Sequence, residues 1–162
     1  MESSASVVLL PVYNEGGTVG CVLDAVRGVF GGKVIVVDDG SADDTADVLA
    51  GRDGIEVITH GVNLGYGRSL IDGFAAALDA GAAAVVTMDC DGQHEPAHIP
   101  EFLAALEQCD IASGSRYLPE SPVEGVAPPS RQDVNRRVTD VINRATGWSI
   151  TDAFCGFKAY RA

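Results

Sequence analysis

Two aspartates separated by one residue follow the apolar run Ala84–Met88 in the sequence AVVTMDCDGQH. Residues i and i+2 of an extended segment point to the same side, so Asp89 and Asp91 would share a face while Cys90 points elsewhere. Neighbouring carboxylates repel each other unless a cation or a proton neutralises them. A hard divalent ion such as Mg²⁺ or Mn²⁺ prefers oxygen ligands and usually shares them with substrate phosphates. The pair therefore predicts a metal-bound diphosphate, with two solvated loop acids as the alternative.

The segments that must position this pair alternate between strands and helices along the chain. Runs typical of strands are SVVLLPV, KVIVVDDGS, IEVITH, AAAVVTM and DIASGS. Helical patterns run from Val19 to Phe30, through ADDTADVLA and GYGRSLIDGFAAALDAG, and in interrupted form through EPAHIPEFLAALEQ. Ser41 is expected to cap the second helix, with Asp44 in the capping-box position, and Gly81 to end the third. The predicted fold is α/β and Rossmann-like, with a mostly parallel sheet and helices on both faces.

Polar and acidic residues follow three of the predicted strands. They are, in chain order, Asn14 and Glu15, Asp38 and Asp39, and Asp89 and Asp91. Because ligands of such sheets bind beyond the carboxyl ends of the strands, these residues predict a site at that edge. Residues 117–130, YLPESPVEGVAPPS, are rich in Pro, Gly and Ser and predict a flexible loop that could close over the site.

Length and composition narrow the possible functions. The 162 residues, of which 46% are hydrophobic, fit one folded domain spanning residues 1–162. The formal net charge is −12, and Lys33 and Lys158 are the only lysines, which argues against nucleic-acid binding. No apolar run approaches the ~20 residues of a membrane span, and the N-terminus lacks the pattern of a secretory signal. The scattered cysteines suit reduced thiols, so we expect a cytoplasmic location.

Six motifs at domain-like spacings resemble those of the family 2 glycosyltransferases of the GT-A fold. They are LLPVYNE, VIVVDDGSADDT, NLGYGRSLIDGF, MDCDGQH, SGSRY and DAFCGFKAYR, and they extend from about Val7 to Arg161. The resemblance is strongest to the polyprenyl (dolichyl) phosphate mannosyltransferases. It implies a metal-dependent, inverting transfer of a hexose, with mannose favoured, from a nucleoside-diphosphate sugar to a polyprenyl phosphate. Members usually continue past the last motif, so a truncated nucleotide-sugar-binding domain without turnover stays open.

The resemblance also implies which residues hold the donor, either GDP-mannose or UDP-glucose. Its nucleoside would contact Pro11, Tyr13, Glu15, Val37 and Asp39. A Mg²⁺ or Mn²⁺ ion would be held by Asp89, Asp91 and Gln93, with Cys90 contributing its backbone near the donor. The chemistry agrees, because an acid accepts hydrogen bonds from a base or a ribose hydroxyl, and a tyrosine ring stacks on a base. For Asp39, a turn-forming role in DDGS is the alternative.

On the acceptor side, the resemblance implies that Arg116 faces the transferring site and that Arg131 grips the acceptor phosphate. Asn135 stands where the family usually has Ser, and both residues donate hydrogen bonds. Catalysis is assigned to Asp91 together with the two arginines. A phosphate acceptor is already anionic and needs cations, whereas a hydroxyl acceptor needs a general base, for which Asp152 is the candidate. Both acceptors stay open, and a lipid acceptor implies peripheral contact with the cytoplasmic face of a membrane.

Several other patterns have simpler explanations. GYGRSL lacks the third glycine of a dinucleotide-binding loop and follows the third strand rather than the first. A zinc site built from Cys90, His94 and His98 would lack a fourth ligand, and a proline separates the two histidines. Trp148 and Phe154 are expected to be core residues rather than platforms for a sugar.

The arginines also have an alternative role in ordinary ion pairs. Arg116 would then pair with Glu120 on the surface. Within residues 131–144, ion pairs along a solvated helix are favoured for Arg137 and Arg144 and open for Arg136. Their partners would be Asp133 and Asp140.

Overall fold

The computed structural model describes residues 5–118 and 128–162. The strands are β1 Ser6–Val12, β2 Lys33–Asp38, β3 Ile55–Thr59, β4 Ala84–Thr87, β5 Ile111–Ser113 and β6 Lys158–Arg161. The helices are α1 Val19–Val29, α2 Thr45–Ala50, α3 Tyr66–Asp79, α4 Ile99–Ala105 and α5 Pro129–Thr146, with a 3₁₀ turn, Pro96–His98, before α4. The strands form one sheet in the order β3-β2-β1-β4-β6-β5. The predicted α/β fold class is confirmed.

The centre of the sheet is parallel and covered on both faces. Strand β1 pairs in parallel with β2 and with β4, and all seven of its residues are buried. Its side chains alternate between two apolar clusters. Val8 and Leu10 pack with the residues of α1, whereas Val7 and Leu9 pack on the face covered by α3. This double burial explains why the strand reads as a continuous apolar run in the sequence.

Strand β6 is a part of the sheet that the sequence analysis does not predict. Its sequence KAYR has no apolar run, yet Ala159 is buried, and the ring of Tyr160 meets that of Phe74 edge-on at a centroid distance of 5.1 Å. β6 runs antiparallel to both β4 and β5. Because Lys158 pairs with Thr87, the segment leading into β6 arrives at the carboxyl end of β4. The motif DAFCGF therefore lies beside the motif DCD.

Helix α5 follows the segment predicted to be a flexible loop, residues 117–130. Positions 119–127 of that segment lie outside the described residues, whereas Pro129 and Ser130 already belong to α5. The side chains of this helix that face the protein are polar: Asn135 and Thr139 are both buried. It ends at Gly147 in the left-handed conformation that favours glycine, with a φ of 74°. Within the described ranges, no helix is both long and apolar enough to cross a bilayer.

The predicted cap of α2 is wrong. The hydroxyl of Ser41 accepts a hydrogen bond from the N–H of Asn14 instead, and Asp44 makes no side-chain cap. The first turn is held by Asp43, whose Oδ1 accepts from the N–H of Thr45 at 3.0 Å. The sequence could not distinguish these possibilities, because Ser41, Asp43 and Asp44 are all good capping residues.

Two expectations, one about the end of α3 and one about the aromatic residues after α5, have opposite outcomes. Gly81 follows α3 with a φ of 76° and donates its N–H to the carbonyl of Leu78, which confirms it as the end of that helix. Trp148 and Phe154, however, are exposed rather than in the core. Between these two positions, the buried side chain is that of Asp152.

Helix α3 approaches the sheet closely through small residues. Its buried positions, Ser69, Gly73 and Ala77, recur every four residues and form one face of the helix. A Cβ atom on Gly73 would lie 2.2 Å from Cδ1 of Leu9 on β1. The glycine is therefore required by the distance between helix and sheet, which in turn fixes the position of the residues at the start of α3.

We expect Gly73→Ala to lower the free energy of unfolding by about 1–3 kcal/mol, because the added methyl group overpacks the contact with Leu9. Gly67→Ala, in the same helix, is the matched control. A Cβ atom at position 67 meets nothing within 4 Å, so this substitution should raise stability by about 0.4–1 kcal/mol. Urea denaturation measures both values. Equal effects of the two substitutions would contradict the close approach.

Candidate active site

The loops that follow β1 and β2 are tied to each other by hydrogen bonds. The N–H of Asn14 donates to Ser41 Oγ at 2.9 Å, and Asn14 Oδ1 accepts from the N–H of Ala42 at 2.8 Å. One residue further, the N–H of Glu15 donates to Thr45 Oγ1 at 2.9 Å. These bonds require Asn14 to adopt a positive φ of 56°, which asparagine tolerates better than most residues. The two strand ends therefore form one connected rim.

Four of the residues predicted to hold the nucleoside lie on this rim. Pro11 and Val37 are direct neighbours in the register of β1 and β2, and both are buried. Tyr13, just past the end of β1, leaves its ring exposed, and Glu15 is half-buried. Of these four side chains, the exposed ring of Tyr13 is the one suited to stacking on a flat heterocycle. The structure thus brings Pro11, Tyr13, Glu15 and Val37 together, as the motifs suggest.

Asp39, the fifth predicted nucleoside contact, is buried in a network of its own. Its Oδ1 accepts from His60 Nδ1 at 2.7 Å and from the N–H of Leu64 at 2.9 Å, and its Oδ2 accepts from the N–H of Gly65 at 2.8 Å. Burial acts to raise the pKa of Asp39, but these hydrogen bonds outweigh burial and hold the pKa below its usual value. Asp39 therefore positions the loop before α3, whereas the turn in DDGS is closed by Asp38, whose Oδ1 accepts from the N–H of Ser41 at 3.0 Å.

The acids Asp89 and Asp91 lie in a bend rather than in an extended segment, because β4 ends at Thr87. Met88 and Cys90 are buried in the core, while Asp89 is half-buried and Asp91 is exposed. The alternation that places both carboxylates on the outside is thus preserved. Burial raises the pKa of the Cys90 thiol to about 12, and the negative charges of Glu15, Asp89 and Asp91 add to the effect. The acidic ends of β1 and β4 therefore meet around this thiol.

The ligand set expected for a divalent ion is open to solvent. Asp91 Oδ1 accepts from the N–H of Gln93 at 2.9 Å, across Gly92 with its positive φ of 77°. Asp89 Oδ1 accepts from the hydroxyl of Tyr66 at 3.1 Å. In the described part of the chain, no three His, Cys, Asp or Glu side chains cluster as a metal site. Two carboxylates and an amide oxygen still fit Mg²⁺ or Mn²⁺, which take their remaining ligands from water and phosphates.

Tyr66 and His94 are neighbours of this pair that the sequence analysis did not assign to the site. The N–H of Asp89 donates to His94 Nδ1 at 3.0 Å, so that nitrogen carries no proton. Burial lowers the pKa of His94 against the opposing effect of Asp89 and Asp91, and the ring is therefore neutral. The 3.7 Å separation of His94 Nδ1 and Asp89 Oδ2 is accordingly not an ion pair. With Nδ1 used in this way and Cys90 buried as a thiol, the zinc alternative loses two of its ligands.

Arg116 is held by the buried carboxylate of Asp152. Its Nε donates to Asp152 Oδ2 at 2.8 Å and its Nη2 to Asp152 Oδ1 at 3.1 Å, while its backbone N–H donates to Oδ2 at 3.2 Å. The Asp152 side chain is 0% exposed and that of Arg116 is 39% exposed. The guanidinium is thus anchored on one edge and open on the other. The expected alternative partner of Arg116, Glu120, lies outside the described residues.

Asp152 accepts two further hydrogen bonds, which help to keep its carboxylate ionised. They come from Asn135 Nδ2 at 2.6 Å and from the N–H of Phe154 at 3.1 Å. Burial acts to raise the pKa of Asp152, but the hydrogen bonds from Arg116 and Asn135 outweigh it and lower the pKa to about 2. A carboxylate with this pKa, and with every hydrogen bond directed inwards, is a poor general base. The geometry therefore disfavours the hydroxyl-acceptor alternative.

Asn135 differs from its predicted role as a direct ligand of the acceptor. Its side chain is buried, and its Oδ1 accepts from Thr139 Oγ1 at 2.9 Å and from the N–H of Ala153 at 3.2 Å. Its amide nitrogen is directed at Asp152. The side chain is thus engaged in joining α5 to the segment before β6. It is placed to position Asp152 rather than to extend into solvent towards a phosphate.

The arginines of α5 fall into two groups. Arg131 is exposed in the first turn of the helix. Arg136 and Arg137 both contact Asp133, and Arg144 Nη2 lies 4.0 Å from Asp140 Oδ2. The predicted ion pairs of Arg137 and Arg144 are confirmed, and Arg136 behaves in the same way.

We expect Asp152→Asn to lower the free energy of unfolding at pH 7 by about 2 kcal/mol or more, because it leaves Arg116 without its buried counterion. The folded-state pKa of Asp152, about 2, lies below the unfolded value. The stabilisation is therefore complete above about pH 5 and is lost as the pH falls towards 2. The difference in stability between wild type and Asp152→Asn should shrink over that range. A pH-independent difference in urea denaturation would contradict the assignment.

Comparisons with known proteins identify the family of this chain. The family model described as Glycosyl transferase family 2 matches residues 7–162. The undecaprenyl-phosphate mannosyltransferase of Micrococcus luteus is 33% identical over 161 residues, which cover 96% of this chain and 66% of the relative. The polyprenol monophosphomannose synthase of Mycolicibacterium smegmatis is 32% identical over 164 residues, covering 96% of this chain and 61% of the relative. The chain thus spans a little under two thirds of these curated relatives.

A solved structure shows the same fold. The mannosyltransferase PcManGT from Pyrobaculum calidifontis, in complex with GDP-Man and Mn²⁺, superposes with a TM-score of 0.64 at 18% identity, over 97% of this chain and 44% of that one. At this identity the likeness shows the fold alone. The family resemblance seen in the six motifs and the GT-A fold are both confirmed. Because the family model matches residues 7–162, nearly the whole sequence, the chain belongs to glycosyl transferase family 2.

Proposed function

We propose that this chain carries the catalytic site of an inverting glycosyltransferase that moves a hexose, with mannose favoured, from a nucleoside-diphosphate sugar to a polyprenyl phosphate. The observation that carries the proposal is the close packing of the segment before β6 on the acidic pair. A Cβ atom on Gly156 would lie 2.3 Å from Asp89 Oδ2, and the same segment carries Asp152, whose carboxylate accepts a hydrogen bond from Arg116 Nε at 2.8 Å. Carboxylates open to solvent suit a metal-bound diphosphate, and a guanidinium with one open edge suits an anionic acceptor.

On the donor side, Asp89, Asp91 and Gln93 would hold Mg²⁺ or Mn²⁺. A divalent ion supplies electrostatic stabilisation of the negative charge that develops on the departing diphosphate. The exposed ring of Tyr13 would form the surface for the base, and the buried Pro11 and Val37 would support the strand ends beside it. The relatives with mannosyltransferase names and the fold neighbour that binds GDP-Man favour GDP-mannose over UDP-glucose. Tyr66 would orient Asp89, because its hydroxyl donates to the carboxylate.

On the acceptor side, Arg116 and Arg131 would bind the phosphate of the polyprenyl carrier. The acceptor is ionised at neutral pH, so the reaction needs orientation and charge balance rather than a base. Asp152 and Asn135 would serve as positioning residues that fix the direction of the Arg116 guanidinium. The names of the relatives specify undecaprenyl phosphate and polyprenol as the acceptors of those proteins. A lipid acceptor would bring this chain into peripheral contact with the cytoplasmic face of a membrane.

We expect Asp91→Ala to remove metal-dependent donor binding and to lower transfer by about 100-fold or more, because the leaving group loses its charge stabilisation. The assays are thermal stabilisation by GDP and by UDP with and without Mn²⁺, and mass detection of the product formed from a short-chain polyprenyl phosphate. Asp79→Ala is the control, because Asp79 ends α3 at the opposite edge of the sheet. Stabilisation by a nucleotide without any turnover would indicate a binding domain. Metal-independent stabilisation would contradict the donor site.

We expect Arg131→Ala to raise the KM for the acceptor by about 10- to 100-fold, because it removes a charge-assisted hydrogen bond to the phosphate. The KM for the donor should stay within about twofold. Arg52→Ala is the control, because Arg52 pairs with Asp24 away from the strand ends. Steady-state kinetics with each substrate varied in turn separates the two constants. An equal loss for donor and acceptor would contradict the role of Arg131.

A further inference from the structure

His60, which directly follows β3, is a buried histidine that the proposed reaction does not use. Its side chain is 7% exposed. Its Nδ1 lies 2.7 Å from Oδ1 of Asp39, after β2, and its Nε2 lies 3.0 Å from Oδ2 of Asp72, in α3. The ring thus bridges two carboxylates that belong to different elements of the fold.

Both nitrogens of this ring donate hydrogen bonds. Burial acts to raise the pKa of Asp39, but the hydrogen bonds from His60 and from two backbone N–H groups hold that pKa below its usual value. The hydrogen bond from Arg68, whose Nε lies 2.7 Å from Asp72 Oδ2, likewise lowers the pKa of Asp72. An ionised carboxylate only accepts hydrogen bonds, so each ring nitrogen of His60 carries a proton. The four side chains therefore form a row of alternating negative and positive charge.

The carboxylate of Asp39 connects this row to the start of α3. Besides the bond from His60, it accepts from the N–H groups of Leu64 and Gly65, at 2.9 and 2.8 Å. Gly65 immediately precedes α3, and its carbonyl accepts a backbone N–H from the first turn of the helix at 2.9 Å. His60 therefore holds α3 at two points, through Asp39 before the first turn and through Asp72 in the second turn.

The first residue of α3 contacts the acidic pair of the donor half. Tyr66 directly follows Gly65, and its hydroxyl donates to Asp89 Oδ1 at 3.1 Å. A chain of contacts thus leads from His60 through Asp39 and the backbone before α3 to the Tyr66 hydroxyl. Moving the start of α3 away from β4 by about 0.5 Å would already take this last contact beyond hydrogen-bond distance. The geometry of Asp89 therefore depends on how firmly the start of α3 is held.

We propose that His60 is a positioning residue for the donor half: its two hydrogen bonds fix the start of α3, so that Tyr66 orients Asp89 for a metal-bound diphosphate. The inference rests on the proposed function, because that function supplies the diphosphate. His60 acts through Tyr66 and is not itself a catalytic residue. The alternative is a role in folding alone, in which substitution of His60 lowers stability without a specific loss of donor affinity.

Asparagine and glutamine separate the two hydrogen bonds of His60. The amide nitrogen of asparagine takes the place of Nδ1, whereas that of glutamine takes the place of Nε2, so only His60→Asn keeps the bond to Asp39. We expect His60→Gln to weaken the binding of GDP with Mn²⁺ by about tenfold, and His60→Asn by about threefold or less. Titration calorimetry measures both. His98→Gln, which alters an exposed histidine paired with Glu101, is the control and should bind like wild type.

The substitution Tyr66→Phe distinguishes positioning from a loss of stability, because it removes only the hydroxyl at the end of the chain of contacts. If His60 acts through this hydroxyl, the double variant His60→Gln/Tyr66→Phe should bind GDP with Mn²⁺ no more weakly than the weaker single variant. Single-variant losses that multiply in the double variant would overturn the proposal. In steady-state kinetics, His60→Gln should leave the KM for the acceptor within about twofold, and an equal rise for donor and acceptor would also overturn it.

The double protonation of His60 has its own spectroscopic signature. Nitrogen-15 NMR of the metal-free protein at pH 7 should show two protonated ring nitrogens for His60, with the signals assigned by their loss in His60→Gln. His94 is the internal reference, because its Nδ1 accepts from the N–H of Asp89 and carries no proton. An unprotonated nitrogen on His60 would overturn the row of charges on which the proposal depends.

The calorimetry also separates this inference from the proposed function. Equal affinity of wild type and His60→Gln for GDP with Mn²⁺ would overturn the positioning role and leave the donor site intact. A wild type that does not bind GDP in a metal-dependent way would overturn the proposed function and the positioning role together.

Discussion

The buried carboxylate of Asp152 is the interaction on which the acceptor half of the site depends. It receives five hydrogen bonds from three segments: the end of β5 through Arg116, helix α5 through Asn135, and its own loop through Phe154. A charge removed from water in this way is tolerated only when it is paired and hydrogen-bonded. The three segments must therefore be in place together, and the direction of the Arg116 guanidinium follows from their assembly.

In the donor half, the carboxylates are left exposed to solvent instead of being buried and paired. Asp89 and Asp91 are left open to solvent, and their mutual repulsion is moderated by water and by the hydroxyl of Tyr66. The neutral ring of His94 holds the backbone of Asp89 without contributing a positive charge. The site thus separates a buried carboxylate, which orients the Arg116 guanidinium, from two more exposed carboxylates, which are available to a cation from solvent.

The sequence predicts the parts of the fold in which burial leaves a simple pattern. Strands β1, β2 and β4 are apolar along most of their length because both of their faces are covered, and their acidic ends were located correctly for the same reason. Strand β6 has no such pattern, since Lys158 and Arg161 leave only Ala159 buried between them. Its place between β4 and β5 depends on antiparallel pairing over a long separation in sequence, which local periodicity does not reveal.

The motifs name residues that the structure places near the strand ends, but they do not give the contacts of those residues. The motif resemblance assigned Asn135 and Asp39 to ligands, whereas both side chains are buried and hydrogen-bonded to other parts of the protein. No local signal distinguishes an aspartate that binds a substrate from one that binds a loop. The local sequence pattern also does not reveal the orientation of α5. Its buried polar face supports Asp152, so the valines are left on the outside. A helix whose inner face is engaged with a buried charge leaves its apolar side chains exposed, which is the reverse of the usual amphipathic arrangement.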